Sequence, residues 1–206
     1  MNANDLDPAI DYIFTIGHSN TPFEALLANL RAYGIEALAD VRSQPVSRYT
    51  PHFNRSELTW QVQEAGIRYA FMGETLGGRP SGSEYYDDEG HVRYDIWSAS
   101  EAFQGGIEQL KAAALRRRAA VLCSEEDPAA CHRHLLIARV LDASGWPQSR
   151  IAHIRGDGSC ITDDAIPRQH DLFSGEVGWR SPRSVLHKVQ QSASSSGSGA
   201  PESDDW

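Results

Sequence analysis

The chain has 206 residues, of which 40% are hydrophobic and 23% are charged, a composition typical of one soluble globular domain. Its net charge of −9 argues against a general affinity for nucleic acid through the overall electrostatic field. No apolar run approaches the roughly 18 residues that a transmembrane helix needs, so we expect no membrane association.

The N-terminal residues and the cysteines point to the same compartment. The first residues are acidic and lack the basic-then-apolar pattern of a signal peptide. Three cysteines without regular spacing argue against a secreted disulfide scaffold. A cytoplasmic location is therefore predicted.

Short apolar runs alternate with amphipathic segments along the chain. Strands are predicted at residues 12–16, 37–41, 68–72, 119–123 and 150–154, and helices begin near Thr21, residue 55, Ser100 and Asp127. Such alternation implies parallel strands with right-handed crossovers. The predicted fold is a three-layer, Rossmann-like α/β domain, with a mostly parallel sheet of about five strands flanked by helices.

The remaining segments define the expected domain organisation. Residues 1–11 are predicted to be a flexible leader, and residues 12–191 a single domain with a long loop near 73–99. Within that domain, residues 159–191 have only the weak pattern of surface segments. The acidic, Ser/Gly-rich residues 192–206 are predicted to be disordered.

Polar turns follow the first four predicted strands. In parallel α/β sheets, ligands bind beyond the carboxyl ends of the strands. We therefore expect His18, Arg42, residues 77–79 and residues 123–133 to lie along one edge of the sheet.

The turns after the first two strands contain groups suited to anions. Gly17-His18-Ser19-Asn20 offers an imidazole and N–H groups near a helix start, although a plain helix cap is the alternative. Asp40 can orient Arg42 toward phosphate or carboxylate, with Ser43 and Arg48 following in the same loop. The alternative for Asp40 and Arg42 is a structural ion pair.

Two glycines and an arginine follow the third strand. Gly77 and Gly78 allow close approach of a ligand to the backbone, and Arg79 adds a cation. The segment is not a phosphate-binding P-loop, because no Gly-Lys-Ser/Thr follows.

The turn after the fourth strand holds the most reactive side chains. Glu125 and His132 form a candidate acid/base couple, Cys131 a candidate nucleophile, and Arg133 a candidate phosphate ligand. Cys123 and Cys131 are separated by seven residues, which is not the usual spacing of a zinc site. No metal site is predicted, and a carboxylate helix cap remains an alternative for Glu125.

Several motifs carry a family resemblance. In order they are T-I-G-H-S-N, D-V-R-S-x-P-x-S-R, F-N, G-I-x-Y, L-G-G-R-P and C-S-E-x-D-P-x-x-C-H-R, within about residues 12–156. In this the chain resembles the domain of unknown function 488 family. The resemblance implies a compact α/β protein, and some members are labelled as DNA repair proteins. It implies no reaction or cofactor, and the cofactor is left unassigned. The matching positions are Gly17, His18, Ser19, Asn20, Asp40, Arg42, Ser43, Arg48, Asn54, Gly77, Gly78, Arg79, Pro80, Cys123, Glu125, Cys131, His132 and Arg133.

The leading hypothesis is a pocket for a phosphate-bearing ligand, either a nucleotide or a nucleic-acid end, in a hydrolase or transferase. Its arginines would hold the anion, while His18, Glu125 and His132 would transfer protons. One alternative is a non-catalytic regulatory module that binds nucleic acid or nucleotides. A second alternative is a metal-dependent hydrolase.

Overall fold

The computed structural model describes residues 1–167 and 179–184. The predicted disordered tail, residues 192–206, lies outside these residues. The centre of the molecule is a six-stranded sheet, formed by β1 (Ile13–Gly17), β2 (Ala37–Asp40), β3 (Arg68–Phe71), β4 (Ala119–Cys123), β5 (Ile151–Ile154) and β6 (Cys160–Thr162).

The strand order is β3-β2-β4-β1-β5-β6, and the first five strands of the chain are parallel. This confirms the predicted α/β class. The sixth strand was not predicted, and it pairs antiparallel to β5 across a tight turn in which Gly158 has a φ of 83°. Only three residues pair, so the period-2 pattern is too short to be recognised in the sequence.

Helices cover both faces of the sheet. On one face lie α1 (Phe23–Ala32) and α2 (Arg55–Glu64), which bury Phe14 and Ile16 of β1. On the other lie α3 (Gly73–Leu76), α4 (Tyr94–Ser98), α5 (Glu101–Ala114) and α6 (Arg139–Ala143), which bury Ile13. Alternate strand residues thus enter opposite cores, as the pleat requires. None of the helices formed by the described residues is long and apolar enough to span a membrane.

The segment predicted as one long loop contains two of these short helices, α3 and α4, and a 3₁₀ turn at Ser83–Tyr85. The Trp97 indole N–H donates to the Gly77 carbonyl over 3.0 Å, and the Tyr85 ring packs 4.9 Å from Trp97. At the other end of the chain, Leu6 of the predicted leader is buried. Tertiary contacts therefore organise segments that have little periodicity of their own.

The connection from β4 to α6 is not the continuous helix that the sequence suggested. Asp127 does accept a cap hydrogen bond from the Ala129 N–H, but the helix is a single 3₁₀ turn, Pro128–Ala130. Cys131 then has extended backbone (φ −118°, ψ 146°), and a π-helical turn, Arg133–Ala138, leads into α6. This break brings Cys131 back toward the end of β4.

Candidate functional site

A cavity of about 310 Å³ lies at the carboxyl ends of β2 and β4; we call it the β2–β4 pocket. Its walls come from the loops after β2, β3 and β4 and from residues 181–183. The predicted convergence of these loops is therefore observed. The lining residues are Arg42, Ser43, Gln44, Val46, Gly78, Arg79, Val92, Tyr94, Cys123, Ser124, Glu125, Ala130, Cys131, His132, Ser181, Pro182 and Arg183.

A larger groove of about 720 Å³ runs beside α1 and α2. It is lined by the carboxylates of Glu24, Glu57 and Glu64, and the His52 Nε2 is already bonded to the Thr21 carbonyl over 3.0 Å. Among the residues that the structure describes, no cysteine or arginine lines this groove. The candidate chemistry of the described residues therefore lies in the β2–β4 pocket.

Two thiols and an imidazole meet at the floor of the pocket. Cys123 is the last residue of β4, and Cys131 and His132 follow the 3₁₀ turn. The His132 Nδ1 lies 3.7 Å from the Cys123 Sγ and 3.8 Å from the Cys131 Sγ, and the three atoms lie within 4.8 Å of one another. Both cysteines are free thiols. Tertiary structure therefore gathers residues whose spacing in sequence is not that of a known ligand set.

Arg133 lies behind this cluster and influences the charge state of its thiols. Its guanidinium is fully buried and donates to the Cys131 Sγ over 3.3 Å, to the Thr15 hydroxyl and to two backbone carbonyls. Burial raises the pKa of Cys131, but a hydrogen bond from Cys123 and the charge of Arg133 outweigh it and leave the pKa well below its ordinary value. That hydrogen bond, together with burial, raises the pKa of Cys123. The two shifts run in opposite directions, so Cys131 loses its proton more readily than Cys123.

His132 has one ring nitrogen to spare. Its Nε2 is buried and has no hydrogen-bond partner among the residues that the structure describes. The ring lies so close to Gly78 that a Cβ on Gly78 would come within 2.8 Å of it. An unpaired buried nitrogen costs about 1–3 kcal/mol, so this atom is an exception among the buried polar groups of the described residues.

Arg42 lines the pocket, but its positive charge is already paired with the Asp40 carboxylate. Asp40 accepts from its Nε over 2.8 Å and from its Nη2 over 2.6 Å, while its Nη1 donates to the Phe53 carbonyl and the His18 Nε2. The Tyr69 hydroxyl completes the shell of Asp40. This is the ion pair that the sequence analysis left as an alternative, here at the edge of the pocket.

His18 lies behind Arg42 and does not line the pocket. Its Nδ1 donates to the Ser19 carbonyl, so its Nε2 accepts from Arg42. Burial, and then the charge of Arg42, lower the pKa of His18 to about 4. The ring is neutral at pH 7 and positions Arg42; it has no free nitrogen for the proton transfer that the sequence suggested.

Arg79 and Arg183 bring exposed cations to the mouth of the pocket. The backbone N–H of Arg79 donates to the Ser43 hydroxyl over 2.9 Å, and its guanidinium has no ion-pair partner within residues 1–167 and 179–184. Arg183 pairs with the Glu125 carboxylate at 3.1 Å. Glu125, predicted as a proton-transfer group, is thus engaged in an ion pair. Arg79 is the lining cation that remains available.

Other predicted site residues lie apart from the pocket. Arg48 is exposed on the loop after β2, and Asn20 borders the larger groove. Ser19 has a φ of 47° and its N–H donates to the Ser124 carbonyl, while the Asn54 side chain accepts from the Ser47 N–H. Gly77 has no room for a side chain, because a Cβ would overlap the Gly73 carbonyl. These residues shape the loops that carry the site.

A buried polar network that was not predicted from the sequence lies behind the pocket. Thr15 bonds the His153 Nδ1 over 2.8 Å, and Asp163 joins His153 to His134 over 3.0 and 2.6 Å. Through Thr15 and Arg133 this network reaches Cys131. One feature of the sequence does point to this network: the polar residues Thr15 and His153 lie within apolar strand segments. Polar side chains are rarely buried without hydrogen-bond partners.

The model of the family described as "Domain of unknown function DUF488" matches residues 22–141. The chain belongs to the DUF488 family. No curated protein and no solved structure matches it. The matched range contains the pocket walls from Arg42 to His132, and it leaves out β1 and residues 181–183. The family resemblance seen in the motifs is therefore confirmed.

Proposed function

We propose that the β2–β4 pocket binds a phosphate-bearing ligand, a nucleotide or a nucleic-acid end, on which the protein acts as a hydrolase or transferase. The observation that carries this proposal is the state of Arg79. Arg42 and Arg183 are paired with Asp40 and Glu125, whereas Arg79 is exposed and unpaired among the described residues. A guanidinium binds a phosphate through two parallel hydrogen bonds and keeps its charge at every physiological pH.

The rest of the lining suits the same ligand. Ser43 and Ser124 add hydroxyl groups to the lining, and the volume of about 310 Å³ is at the small end of ordinary ligand sites. This size admits a nucleotide or the terminus of a strand better than a duplex. The net charge of −9 likewise opposes binding along a nucleic-acid backbone.

The reactive groups in this proposal are those of the Cys123–Cys131–His132 cluster. The other two candidates for proton transfer are engaged, since His18 is bonded through both ring nitrogens and Glu125 is paired with Arg183. The cluster lines the same pocket as Arg79 and carries the spare His132 nitrogen. A ligand phosphate held by Arg79 would lie beside it.

Calorimetric titration with a panel of nucleoside mono- and diphosphates and a short 5′-phosphorylated single-stranded oligonucleotide tests the proposal. Arg79→Ala should weaken binding by roughly 10- to 100-fold, because hydrogen bonds to a charged group contribute about 1.5–3 kcal/mol. Arg48→Ala is the matched control, since Arg48 is an exposed arginine on the loop after β2 that does not line the pocket. Equal affinity of wild type and Arg79→Ala, or no binding by any member of the panel, would refute the proposal.

A further inference from the structure

We propose that Cys123, Cys131 and His132 bind a divalent metal ion of the zinc type, with one coordination position open to the pocket. The three residues offer two thiolate sulfurs and one imidazole nitrogen, which is the donor set that zinc selects. Cys131 and His132 are adjacent in the chain, and the 3₁₀ turn with the extended backbone at Cys131 brings them to Cys123 at the end of β4.

The two distances from the His132 nitrogen to the sulfurs are close to those of a tetrahedral site. With Zn–S of about 2.3 Å and Zn–N of about 2.0–2.1 Å, a sulfur and a nitrogen of one tetrahedron lie about 3.5–3.6 Å apart. The observed separations from the His132 Nδ1 are 3.7 and 3.8 Å. Shifts of a few tenths of an ångström, within rotamer freedom, would therefore complete the site.

Two outer contacts resemble those at metal centres, whereas the His132 Nε2 has no partner among the described residues. The Arg133 Nε–H donates to the Cys131 Sγ over 3.3 Å, and Gly78 leaves just enough room for the His132 ring in this orientation. Such outer contacts fix the ligand geometry and hold the sulfur in its charged form.

The other group of potential ligands, His134, His153 and Asp163, differs because its donor atoms are already bonded to one another. The Asp163 carboxylate bonds the His134 Nδ1 over 2.6 Å and the His153 Nε2 over 3.0 Å, and none of the three residues lines the β2–β4 pocket or the larger groove. That group is a satisfied hydrogen-bond network. The pocket cluster, in contrast, has longer separations between its donor atoms and faces open space.

Three protein ligands and an open position are typical of catalytic zinc, whereas structural zinc has four. No fourth histidine, cysteine or carboxylate is grouped with the three among the described residues. The fourth position therefore takes water or a ligand oxygen. Metal binding does not depend on the proposed phosphate-bearing ligand. Only the contact between the ion and a phosphate oxygen rests on that proposed function.

Titration of the untagged full-length protein, fully reduced, with Co²⁺ and then Zn²⁺ tests the site directly. We expect one ion per chain, a thiolate-to-Co²⁺ charge-transfer absorption, and its displacement by Zn²⁺. This measurement needs no variant, so it does not depend on a mutant chain folding. Protein with reduced thiols that shows no charge-transfer band on Co²⁺ addition would overturn the proposal.

Cysteine and histidine variants locate the ion. Cys123→Ser and His132→Ala should each lower the affinity for Zn²⁺ by more than about 100-fold, since loss of even an outer contact costs about 10- to 100-fold. Cys160→Ser is the matched control, because Cys160 is the third free thiol and lies on β6. Equal losses in all three variants would place the ion elsewhere and overturn the assignment.

The Arg79→Ala variant separates the two proposals. It should bind Zn²⁺ as the wild type does while losing phosphate-bearing ligands. A protein that binds the ion but no member of the nucleotide panel would support the metal site and refute only the ligand class. Nucleotide binding by a protein without the Co²⁺ signal would refute only the metal site.

Discussion

Three arginines of the site show that residue type does not decide role. Arg133 is fully buried, and its donors are taken up by Cys131, Thr15 and backbone carbonyls. Arg42 is neutralised by Asp40, and Arg79 alone of the three has a free guanidinium among the described residues. Removing Arg42 or Arg133 would leave buried acceptors unpaired, so their loss would report on stability before it reported on ligand binding.

His18 makes the stability of the protein depend on pH. Its pKa is about 4 in the fold, below its ordinary value of 6.5, so the unfolded chain binds a proton between these values that the folded chain does not. Stability is therefore complete above pH 6.5 and is lost as the pH falls toward 4, by up to about 3 kcal/mol. His18→Gln, which cannot take a charge, should flatten this dependence.

Urea unfolding of both proteins at several pH values between 7 and 4 measures the difference in free energy of unfolding. The buried His153, whose pKa is also lowered by burial, is present in both chains and cancels in the comparison. A variant whose stability falls with pH as steeply as that of the wild type would show that His18 is not the source.

The connection between β4 and α6 is the element that builds the site. Its 3₁₀ turn, extended residue and π-helical turn direct Cys131 and His132 toward the end of β4. Interruptions of this kind are frequent where helices carry functional groups. The loop after β3 then limits where the His132 ring can lie, through Gly78.

Gly78→Ala tests this contact between two connections. A Cβ at this position would lie 2.8 Å from the His132 ring, so the ring must move, and we expect Zn²⁺ affinity to fall by about tenfold or more. Gly105→Ala is the matched control, because nothing lies within 4 Å of its Cβ; on helix α5 it should add about 0.5–1 kcal/mol of stability. Unchanged Zn²⁺ affinity in Gly78→Ala would contradict the role given to this contact.

In the molecule as a whole, the central strands of the sheet are more deeply buried than the edge strands. Every residue of β1, β2, β4 and β5 is buried, whereas the edge strands β3 and β6 are partly exposed. Amide hydrogen exchange should therefore be slowest in β4 and β1 and fastest in β3 and β6, because edge strands open locally without global unfolding. Mass spectrometry of exchanged peptides measures this order, and protection of β6 equal to that of β4 would contradict it.

The sequence by itself determined the features that depend on local pattern and on chain order. Apolar periodicity located the five parallel strands and the main helices, and alternation of strand and helix forced their parallel pairing. Parallel pairing in turn placed the loops containing Arg42, Arg79 and Cys131 at one edge of the sheet. The strand β6 was not predicted, because its three residues are too few to show the alternation of a strand.

Only the tertiary structure decided which side chains remain available in the pocket. Whether an arginine is buried, paired or free depends on partners from distant parts of the chain, such as Thr15 for Arg133 and Phe53 for Arg42. Cys123 and Cys131 also depend on tertiary structure. Their spacing in the sequence argues against a joint site, but the break in the helix after Ala130 brings their sulfurs together. Sequence spacing fixes distance along the chain, whereas coordination and hydrogen bonding depend on distance in space.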